Sequence, residues 1–445
     1  MKKLYIKDVV DKVGKEVELY GWVNNIRDHK KIIFVDLRDR TGIIQLVGDS
    51  PLKKLSPEDI IYIKGIVKKR PLNMVNPNIK TGEVEVNVIE MKLISEADEL
   101  PFDMSKEELS VTLPTLLDYR SLTLRHPKVK SIFRVQESII SEFRNSLKRM
   151  DFIEFQSPLL VPALAEGGSA VFPVTYFNYT AYLAQSPQLY KQIMLGVFEK
   201  VFTVTHAFRA EPSVTTRHLT EYISLDAEMA FIDTWENLMD TVEIVIKNIL
   251  GRVFEDCPDE IKLFNVTKPL IPAKIPKLRL KDALEIVGKR LKEDLSDEPD
   301  LAPAHEEEIC KWARDEKASD FVFITHYPTE KRPFYTHPDP ENSDLTLSFD
   351  LLGLGIEWVT GGQRINDYKM LVDNIKKWGN KLEDFDIYLQ AFKYGMPPEG
   401  GFAMGAERIT MKLLNLSNIR EASLFPRDME RIDERLSILT KEKEK

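Results

Sequence analysis

The sequence predicts an α+β protein in which a small closed β-barrel precedes a larger domain built on an antiparallel sheet with flanking helices. Three observations predict this fold class. Residues 16–95 contain about five short strand-like runs, and residues 130–149 show the apolar spacing of a long helix. Later strand-like runs are separated by loops or single helices, not by a regular strand–helix repeat. At 445 residues, the chain is long enough for two or three domains.

The first strands predict an OB-fold barrel over residues 1–96. Residues 17–26 alternate around Gly21 and Trp22, and the runs IIFVDLRD and GIIQLV follow on either side of a turn at 39–42. IIYIKGIVKK and GEVEVNVIEMKLI supply two more strands. About five strands with glycine and Pro-Asn punctuation, within fewer than ~100 residues, are typical of a small closed barrel such as the OB-fold.

The remaining chain predicts a hinge and a larger domain. Residues 97–126 lack sustained periodicity and are interpreted as the hinge, so the second domain covers residues 127–445. In it, FIEFQSPLLVP predicts a strand with Pro158 near its end, and residues 234–252 predict a second helix. The stretch of about 255–340, rich in Pro, Lys and Glu, predicts an inserted helical module.

Composition and charge limit the functional classes. No apolar run reaches the roughly 18 residues that a membrane span needs, and the N-terminal residues lack the apolar core of a secretory signal. Two cysteines are too few for a disulfide framework, so a cytoplasmic location is expected. Residues 1–95 hold 18 Lys and Arg against 13 Asp and Glu, a net of +5, so the remainder carries −14. The basic N-terminal part permits nucleic-acid binding, although its lysines could equally serve solubility.

The block FRAEPSVTTRHLTEY, residues 208–222, concentrates charged side chains in a strand–loop–strand. Arg209, Glu211, Arg217 and His218 lie within it. Two guanidinium groups facing one another across such a loop could hold a phosphate in bidentate fashion. A surface ladder of salt bridges is the alternative that this block alone leaves open.

A second block, GGFAMGAERITMKLL at residues 400–414, combines glycines with Glu407 and Arg408 at the predicted start of a helix. Glycines allow a ligand to approach the backbone closely, and an arginine at that point can reach a phosphate or stack on a purine. The block does not match a Walker A loop, because no Gly-Lys-Ser/Thr follows. A purely structural glycine-rich turn remains an alternative.

Two further segments place polar groups in apolar surroundings. Asp350 and Glu357 flank a glycine-containing bend in SFDLLGLGIEWVTGGQRIND, where they could bind a hard cation such as magnesium or pair with Arg364. In QSPQLYKQ, Gln188 and Lys191 stand three residues apart, so they share one face of a short helix.

Taken together and in this order, the blocks resemble the aspartyl, asparaginyl and lysyl branch of the class II aminoacyl-tRNA synthetases over nearly the whole chain. GWVNNIRD with FVDLRDRTGIIQLV is similar to the anticodon-binding OB domain of that branch. The helix and strand ending at Pro158 resemble motif 1, FRAE…TTRHLTE resembles motif 2, and GGFAMGAER with NIREASLFPRD resembles motif 3. The resemblance implies a class II synthetase antiparallel-sheet catalytic domain and a homodimer formed through motif 1.

The resemblance also implies roles for individual residues. ATP, the co-substrate, would contact Arg209, Glu211, Arg217, His218, Leu219, Glu357, Gly405, Ala406, Glu407 and Arg408. Mg²⁺ would be bound by Asp350, Glu357 and Thr360, and the catalytic groups would be Arg209, Arg408 and Glu357. L-aspartate would be held by Glu166, Gln188, Lys191, Arg209, Thr360 and Arg364, and anticodon bases by Arg27, Phe34 and Gln45. Taken alone, Phe34 could equally be an aromatic residue of the barrel core.

Within the branch, QSPQLYKQ is similar to the aspartyl enzymes, because asparaginyl enzymes typically lack the lysine. Lys191 and Arg364 would supply two cations for the aspartate side chain, whereas asparagine would leave a buried ammonium unpaired. The implied activity is ATP-dependent formation of aspartyl-adenylate and transfer of aspartate to tRNA(Asp); charging of tRNA(Asn) stays open. The alternatives are an asparaginyl enzyme, an ammonia-dependent asparagine-forming ligase, and a tRNA-binding paralogue without charging activity.

Overall fold

The computed structural model describes residues 4–30, 32–162, 171–212, 215–433 and 435–436. Within it, the chain divides into two compact units, Met1–Leu113 and Pro114–Lys445.

The first unit is a closed five-stranded barrel, which confirms the predicted OB-type architecture. Its strands are β1 (Glu16–Asp28), β2 (Ile33–Arg38), β3 (Ile43–Gly48), β4 (Ile60–Lys69) and β5 (Val84–Ser95). Their order around the barrel is β1-β2-β3-β5-β4, with β4 closing onto β1. Alternate residues such as Val35 and Leu37 are fully buried in the barrel core. The period-two pattern in the sequence therefore fills the barrel interior.

The second unit contains eleven strands and the helices that pack on them in the described residues. The helices are α1 (Leu113–Asp118), α2 (Arg120–Thr123), α3 (Pro127–Arg149), α4 (Gln188–Phe198), α5 (Glu236–Asp256), α6 (Pro258–Leu263), α7 (Leu280–Leu291), α8 (Pro303–Lys317), α9 (Tyr368–Lys377), α10 (Asp386–Lys393) and α11 (Ala406–Leu413). The strands are β6 (Ile153–Glu154), β7 (Leu160–Val161), β8 (Pro173–Tyr176), β9 (Tyr179–Leu183), β10 (Lys200–Phe208), β11 (Glu221–Ala230), β12 (Lys277–Arg279), β13 (Phe321–Thr325), β14 (Ser348–Gly353), β15 (Ile356–Gln363) and β16 (Glu399–Gly405).

An eight-stranded sheet forms the centre of this unit, in the order β12-β13-β14-β15-β16-β11-β10-β6. Pairing is antiparallel from β13 through to β10, as the sequence predicts, and only the two outermost pairs are parallel. A small sheet, β7-β9-β8, stands beside it. Helices α3 and α5 cover one face of the large sheet through a shared core of buried apolar side chains.

Helix α3 shows why the apolar spacing is informative. Ile132, Val135, Ile139, Phe143 and Leu147 recur every three or four residues, and all are buried in the core shared with α5. The predicted helix over residues 130–149 is confirmed, and it begins three residues earlier, with Pro127 in its first turn.

Three local predictions differ from the structure. The segment 255–340 is not wholly helical, because β12 and β13 from this segment extend the large sheet. The second half of the segment interpreted as a hinge contains α1 and α2. The strand predicted around Pro158 is divided into β6 and β7, in keeping with the missing backbone donor of proline.

Both cysteines are free and buried in the second unit. Burial raises the pKa of the Cys257 thiol to about 11 and that of the Cys310 thiol to about 12. None of the helices in the described residues combines the length and the apolar character that crossing a membrane requires.

Candidate active site

A cavity of about 210 Å³ opens between strands β11, β15 and β16 and the segment that joins β10 to β11. It brings together ten of the residues for which the sequence predicts nucleotide or metal contacts: Arg209, Glu211, Arg217, His218, Leu219, Glu357, Thr360, Gly405, Glu407 and Arg408. The sheet register explains this. Phe208 pairs with Glu221, so both sides of the loop between β10 and β11 meet at one end, and Ser224 pairs with Gly405 beside them.

The three arginines of the cavity differ in their contacts. Arg209 lies over the ring of Tyr222, with its guanidinium carbon 5.6 Å from the ring centroid. Arg217 donates from Nη1 to Glu306 of α8 at 2.9 Å. Arg408 donates to Glu357 Oε1 at 3.2 Å. The cavity therefore offers clustered positive charge, which suits a polyphosphate.

His218 lies in the same cavity, and its ring Nδ1 is 2.6 Å from the hydroxyl oxygen of Thr215. Burial, together with the nearby cations Arg408, Arg209 and Arg217, lowers the pKa of His218, although Glu211 opposes this. The lowered pKa favours the neutral imidazole, which can offer a ligand its hydrogen bonds and its ring face.

Asp350 and Glu357 stand on the adjacent strands β14 and β15, joined by the tight bend that the sequence indicates. Asp350 Oδ2 accepts from Arg332 at 2.7 Å, and Arg332 also donates to the Thr360 hydroxyl at 3.0 Å. The other oxygen, Asp350 Oδ1, is buried and has no hydrogen-bond partner among the described residues. Arg332, not Arg364, is thus the partner of Asp350.

These acids suit Mg²⁺. A buried carboxylate oxygen without a partner is a ready cation ligand, and Mg²⁺ usually takes one or two carboxylates together with substrate phosphates. The pKa of Glu357 is raised by burial and by repulsion from Asp350, while Arg408 opposes the rise. In the described part of the chain, no group of three or more His, Cys, Asp or Glu side chains forms a complete metal cage. The residues present therefore fit a metal that is shared with a ligand.

Two residues of the second glycine-rich block, Ala406 and Glu407, make contacts that stabilise the fold. Ala406 is fully buried in the main core. Glu407 borders the cavity, but both of its carboxylate oxygens accept from the backbone nitrogen of Ile223, at 3.1 and 3.0 Å. Burial raises the pKa of Glu407 to about 8. A side chain at Gly401 would clash with the carboxylate of Glu228, so this glycine is required by a neighbouring strand.

The surroundings of Lys191 overturn one argument from the sequence. Lys191 is 1% exposed, and its Nζ lies 3.0 Å from Asp226 Oδ1 and 2.9 Å from Glu228 Oε2. Arg364 is also buried, and it donates from Nε to Glu228 Oε1 at 2.7 Å. The expectation that Lys191 would stay unpaired without an aspartate side chain is wrong, because two carboxylates from β11 already accompany it.

The charges of this cluster shift the pKa values of their neighbours. Burial alone would lower the pKa of Lys191, but Glu228 and Asp226 outweigh it and raise the pKa. Burial likewise acts to raise the pKa of Glu228, yet Arg364 and Lys191 outweigh it and lower the pKa. Both shifts favour the charged forms, and the formal charges of the two cations and two carboxylates cancel within the cluster.

Gln188 belongs to a hydrogen-bonded chain beside this cluster. Its Nε2 donates to Gln192 Oε1 at 2.9 Å, and Gln192 Nε2 donates to Glu399 Oε1 at 2.6 Å. The Tyr388 hydroxyl donates to the same Gln192 oxygen at 3.1 Å. Burial, followed by repulsion from Glu228, raises the pKa of Glu399 well above its ordinary value. Glu166, the remaining predicted aspartate ligand, lies outside the described residues.

The three residues predicted to contact an anticodon lie together on the outer face of the barrel. Arg27 pairs with Phe34 across β1 and β2, and Arg27 donates to Asp36 at 2.9 Å and to Gln45 at 3.1 Å. Gln45 Nε2 in turn donates to Glu85 at 2.9 Å. Phe34 is half-buried, so it is not one of the fully buried core residues and leaves part of its ring available for stacking.

Sequence reasoning missed several polar partners: Asp226, Glu228, Glu306, Arg332 and Glu399. One signal was present, because Asp226 and Glu228 are alternating acids in the otherwise apolar run SLDAEMAF, and buried acids need cationic partners. For Glu306 and Arg332, the surrounding segment offers no periodic pattern that would place them at the cavity.

The fold and the cavity define a synthetase of class II, with an OB-type barrel and an antiparallel catalytic sheet in one chain. The chain belongs to the family described as tRNA synthetases class II (D, K and N), whose model matches residues 112–429. The model of an OB-fold nucleic acid binding domain matches residues 17–94.

Individual relatives agree with this assignment. The chain is 43% identical to an aspartate–tRNA(Asp/Asn) ligase of Thermus thermophilus over 97% of this chain and 99% of the relative. It is 38% identical to an aspartate–tRNA(Asp) ligase of Pyrococcus abyssi, over 96% and 98%. Among solved structures, asparaginyl-tRNA synthetase from Pyrococcus horikoshii with asparaginyl-adenylate superposes with a TM-score of 0.88 at 32% identity, covering 97% of this chain and 99% of that one.

Proposed function

We propose that this chain is an aspartate–tRNA ligase, which forms aspartyl-adenylate from L-aspartate and ATP and transfers aspartate to tRNA(Asp). The observation that carries the proposal is the identity of 43% to the Thermus thermophilus ligase over nearly the full length of both chains. The arginine-lined cavity supports it, since ATP is an anion.

The first step is an in-line displacement at phosphorus. The α-carboxylate of aspartate attacks the α-phosphorus of ATP, a new oxygen–phosphorus bond forms, and pyrophosphate leaves. No side chain has to act as the nucleophile or base, because the substrate carboxylate is already ionised. In this scheme Arg209 and Arg408 stabilise the charge that develops on the phosphoryl oxygens, and the cavity positions the two substrates.

Asp350, Glu357 and Thr360 would hold Mg²⁺ beside the phosphates. A bound Mg²⁺ neutralises phosphate charge and polarises the phosphoryl oxygens. Arg332 already bonds to Asp350 and Thr360, so it keeps these two ligands in place. In the second step, the terminal adenosine hydroxyl of the tRNA attacks the adenylate carbonyl, and AMP leaves.

The choice of aspartate is best tested by amino-acid-dependent exchange of labelled pyrophosphate into ATP. We expect exchange with L-aspartate and at least about a hundredfold lower kcat/KM with L-asparagine, since Lys191 and Arg364 offer only hydrogen-bond donors and the asparagine amide nitrogen is also a donor. A preference for asparagine would establish the asparaginyl alternative. Absence of exchange with either amino acid would refute the proposed activity.

Charging of tRNA(Asn) is the second candidate function, favoured by the name aspartate–tRNA(Asp/Asn) ligase of the Thermus thermophilus relative. The two activities separate when labelled aspartate is supplied with transcripts of tRNA(Asp) or tRNA(Asn). Aspartate on both transcripts would support the broader function. Aspartate on tRNA(Asp) alone would limit the enzyme to one acceptor, as in the name of the Pyrococcus abyssi relative.

We further propose a cytoplasmic homodimer that associates through α3 and the strands that follow it. The domain boundaries proposed with it are an anticodon-binding domain over residues 1–96, a hinge over 97–126 and a catalytic domain over 127–445. Light scattering on the purified chain tests the dimer: a mass near twice 51.3 kDa is expected, and a monomer at micromolar concentration would contradict it.

A further inference from the structure

We propose that Gln192 and Glu399 form a buried hydrogen-bond relay that fixes the amide orientation of Gln188 and turns its carbonyl oxygen toward the substrate ammonium group. This inference rests on the proposed function, because it takes the substrate to be an α-amino acid bound beside Gln188. In it, Gln192 and Glu399 are positioning residues, since they act through Gln188.

The relay lies wholly inside the second unit. Gln188 is 3% exposed, while Gln192 and Glu399 are completely buried. Gln188 and Gln192 stand one helical turn apart on α4, and Glu399 begins β16. Three hydrogen bonds of 2.6 to 3.1 Å connect the two glutamines with Glu399 and the Tyr388 hydroxyl.

The hydrogen bonds of the structure run in one direction. Gln192 has one amide nitrogen and one carbonyl oxygen, and its nitrogen is bound to Glu399 Oε1. Its oxygen is therefore left to accept from Gln188 Nε2 and from the Tyr388 hydroxyl. With one N–H of its amide held by Gln192, Gln188 points its carbonyl oxygen away from Gln192 and can offer that oxygen to a ligand. Within the described part of the chain, that oxygen has no hydrogen-bond partner.

This orientation matters for an ammonium group. An ammonium has three donors and no acceptor, so it needs oxygen ligands. If the amide of Gln188 were reversed, its two N–H groups would point toward the positively charged substrate. An enzyme for an α-amino acid therefore binds its substrate more tightly when the amide cannot rotate. The relay prevents this rotation through side chains that do not touch the substrate.

Glu399 is itself held in place by the rest of the site. Its backbone oxygen accepts from Arg364 N at 2.9 Å, and Arg364 is bound to Glu228, which also faces Lys191. The relay thus ends in the charged cluster on which the aspartate side chain is proposed to bind. One network connects the ammonium end of the amino-acid site with its side-chain end.

The test is the substitution Gln192→Met, which keeps the volume of the side chain and removes both hydrogen-bonding groups. Pyrophosphate exchange would be measured at varied aspartate and at varied ATP. We expect the KM for aspartate to rise about tenfold, because a hydrogen bond to a charged group is lost or weakened, and the KM for ATP to stay within about twofold. An unchanged KM for aspartate, or equal rises for both substrates, would refute the relay.

Gln136→Met is the matched control. Gln136 is also a buried glutamine of the same unit, and its Nε2 donates to the Ala422 carbonyl oxygen at 2.7 Å. The Gln136→Met variant should be less stable than the wild type, without a selective change in its KM for aspartate. Unfolding temperatures of both variants would show that a selective kinetic effect does not come from general loosening. If the wild-type chain shows no aspartate-dependent exchange at all, the proposed function fails before the relay is tested.

A second variant covers the case in which Gln192→Met does not fold. The double substitution Gln192→Glu with Glu399→Gln exchanges the two side-chain types, so that position 192 carries the carboxylate and position 399 the amide. The introduced carboxylate can accept from Gln188 and from the introduced amide, which keeps the orientation of Gln188. We expect a KM for aspartate within about threefold of wild type, and a rise of about tenfold or more would contradict the proposal.

Discussion

Lys191 shows that a buried cation has to be judged with all of its partners. The sequence suggests that its charge awaits a substrate carboxylate, but Asp226 and Glu228 lie within 3.0 Å of its Nζ. Removing one partner of a buried ion pair typically costs about 3–5 kcal/mol, because the other charges are left uncompensated. Lys191 therefore contributes to folding as well as to the proposed aspartate site.

The first prediction is that Lys191→Met lowers the free energy of unfolding by about 3 kcal/mol or more, in addition to abolishing aspartate-dependent exchange. Urea denaturation followed by circular dichroism measures the loss. Lys274→Met is the control, because Lys274 forms an exposed pair with Asp240 and its removal should leave stability close to that of the wild type. Equal stabilities of the two variants would show that Asp226 and Glu228 do not need Lys191.

Glu306 provides the second prediction at this scale. From α8 it accepts a hydrogen bond from Arg217 of the cavity at 2.9 Å, while burial, with repulsion from Glu357, raises the pKa of its carboxyl to about 7. Glu306→Gln should free Arg217 from a charged partner for contact with phosphate and lower the KM for ATP by about threefold or more, with little change in the KM for aspartate. Steady-state exchange kinetics measure both constants, and a change confined to aspartate would count against this role.

At the scale of elements, the junction of α11 with β11 is held by a carboxyl group whose ionisation opposes folding. Glu407 caps the backbone of Ile223, and burial raises its pKa to about 8 from an ordinary value near 4.5. Between these two values the folded chain keeps a proton that the unfolded chain has lost. The contribution of this group to stability is therefore fully present below about pH 4.5 and declines as the pH rises to about 8.

The third prediction follows from this difference. Between about pH 5 and 8, the free energy of unfolding of the wild type should fall relative to that of Glu407→Gln, by at most about 1.4 kcal/mol per pH unit. Denaturant titrations of both chains at several pH values give the two slopes. Parallel slopes would mean that Glu407 has the same pKa in the folded and unfolded chain.

At the scale of the whole molecule, the functions proposed for the two units can be tested separately, because each unit affects a different reaction. Adenylate formation is proposed for the second unit alone, whereas recognition of an anticodon is proposed for the barrel. The barrel region also carries a net charge of +5 on a chain whose total is −9, so attraction for a polyanion is concentrated there.

The fourth prediction is that Phe34→Ala reduces kcat/KM for tRNA charging about tenfold to a hundredfold, because stacking on an aromatic ring contributes about 1–3 kcal/mol per base. Pyrophosphate exchange should stay unchanged. Tyr20→Ala is the control, since Tyr20 is an exposed barrel aromatic that pairs with Tyr62 instead. If both variants charge tRNA equally well, Phe34 is not a stacking residue.

The sequence predicts the features that depend on local pattern, and it misses those that depend on pairing across the sheet. Apolar periodicity placed α3, and alternating strands predicted the barrel, because both patterns arise within one element. Ten of the residues that were predicted to contact the nucleotide or the metal line one cavity. The partners of Lys191 were missed, because they follow from the position of α4 against β11, which no spacing in the chain reveals. Arg332 was missed for the same reason, since it lies in a proline-rich segment without periodicity.

The two buried thiols make this chain a convenient background for site-specific labelling. Cys257 and Cys310 are shielded, and their raised pKa values keep them protonated, whereas only the thiolate attacks an alkylating reagent readily. A fluorophore on a cysteine introduced at an exposed barrel position such as Leu72 would therefore be the dominant label on the folded protein. Slow modification of the two native thiols would then report, in the same sample, how often the catalytic unit opens.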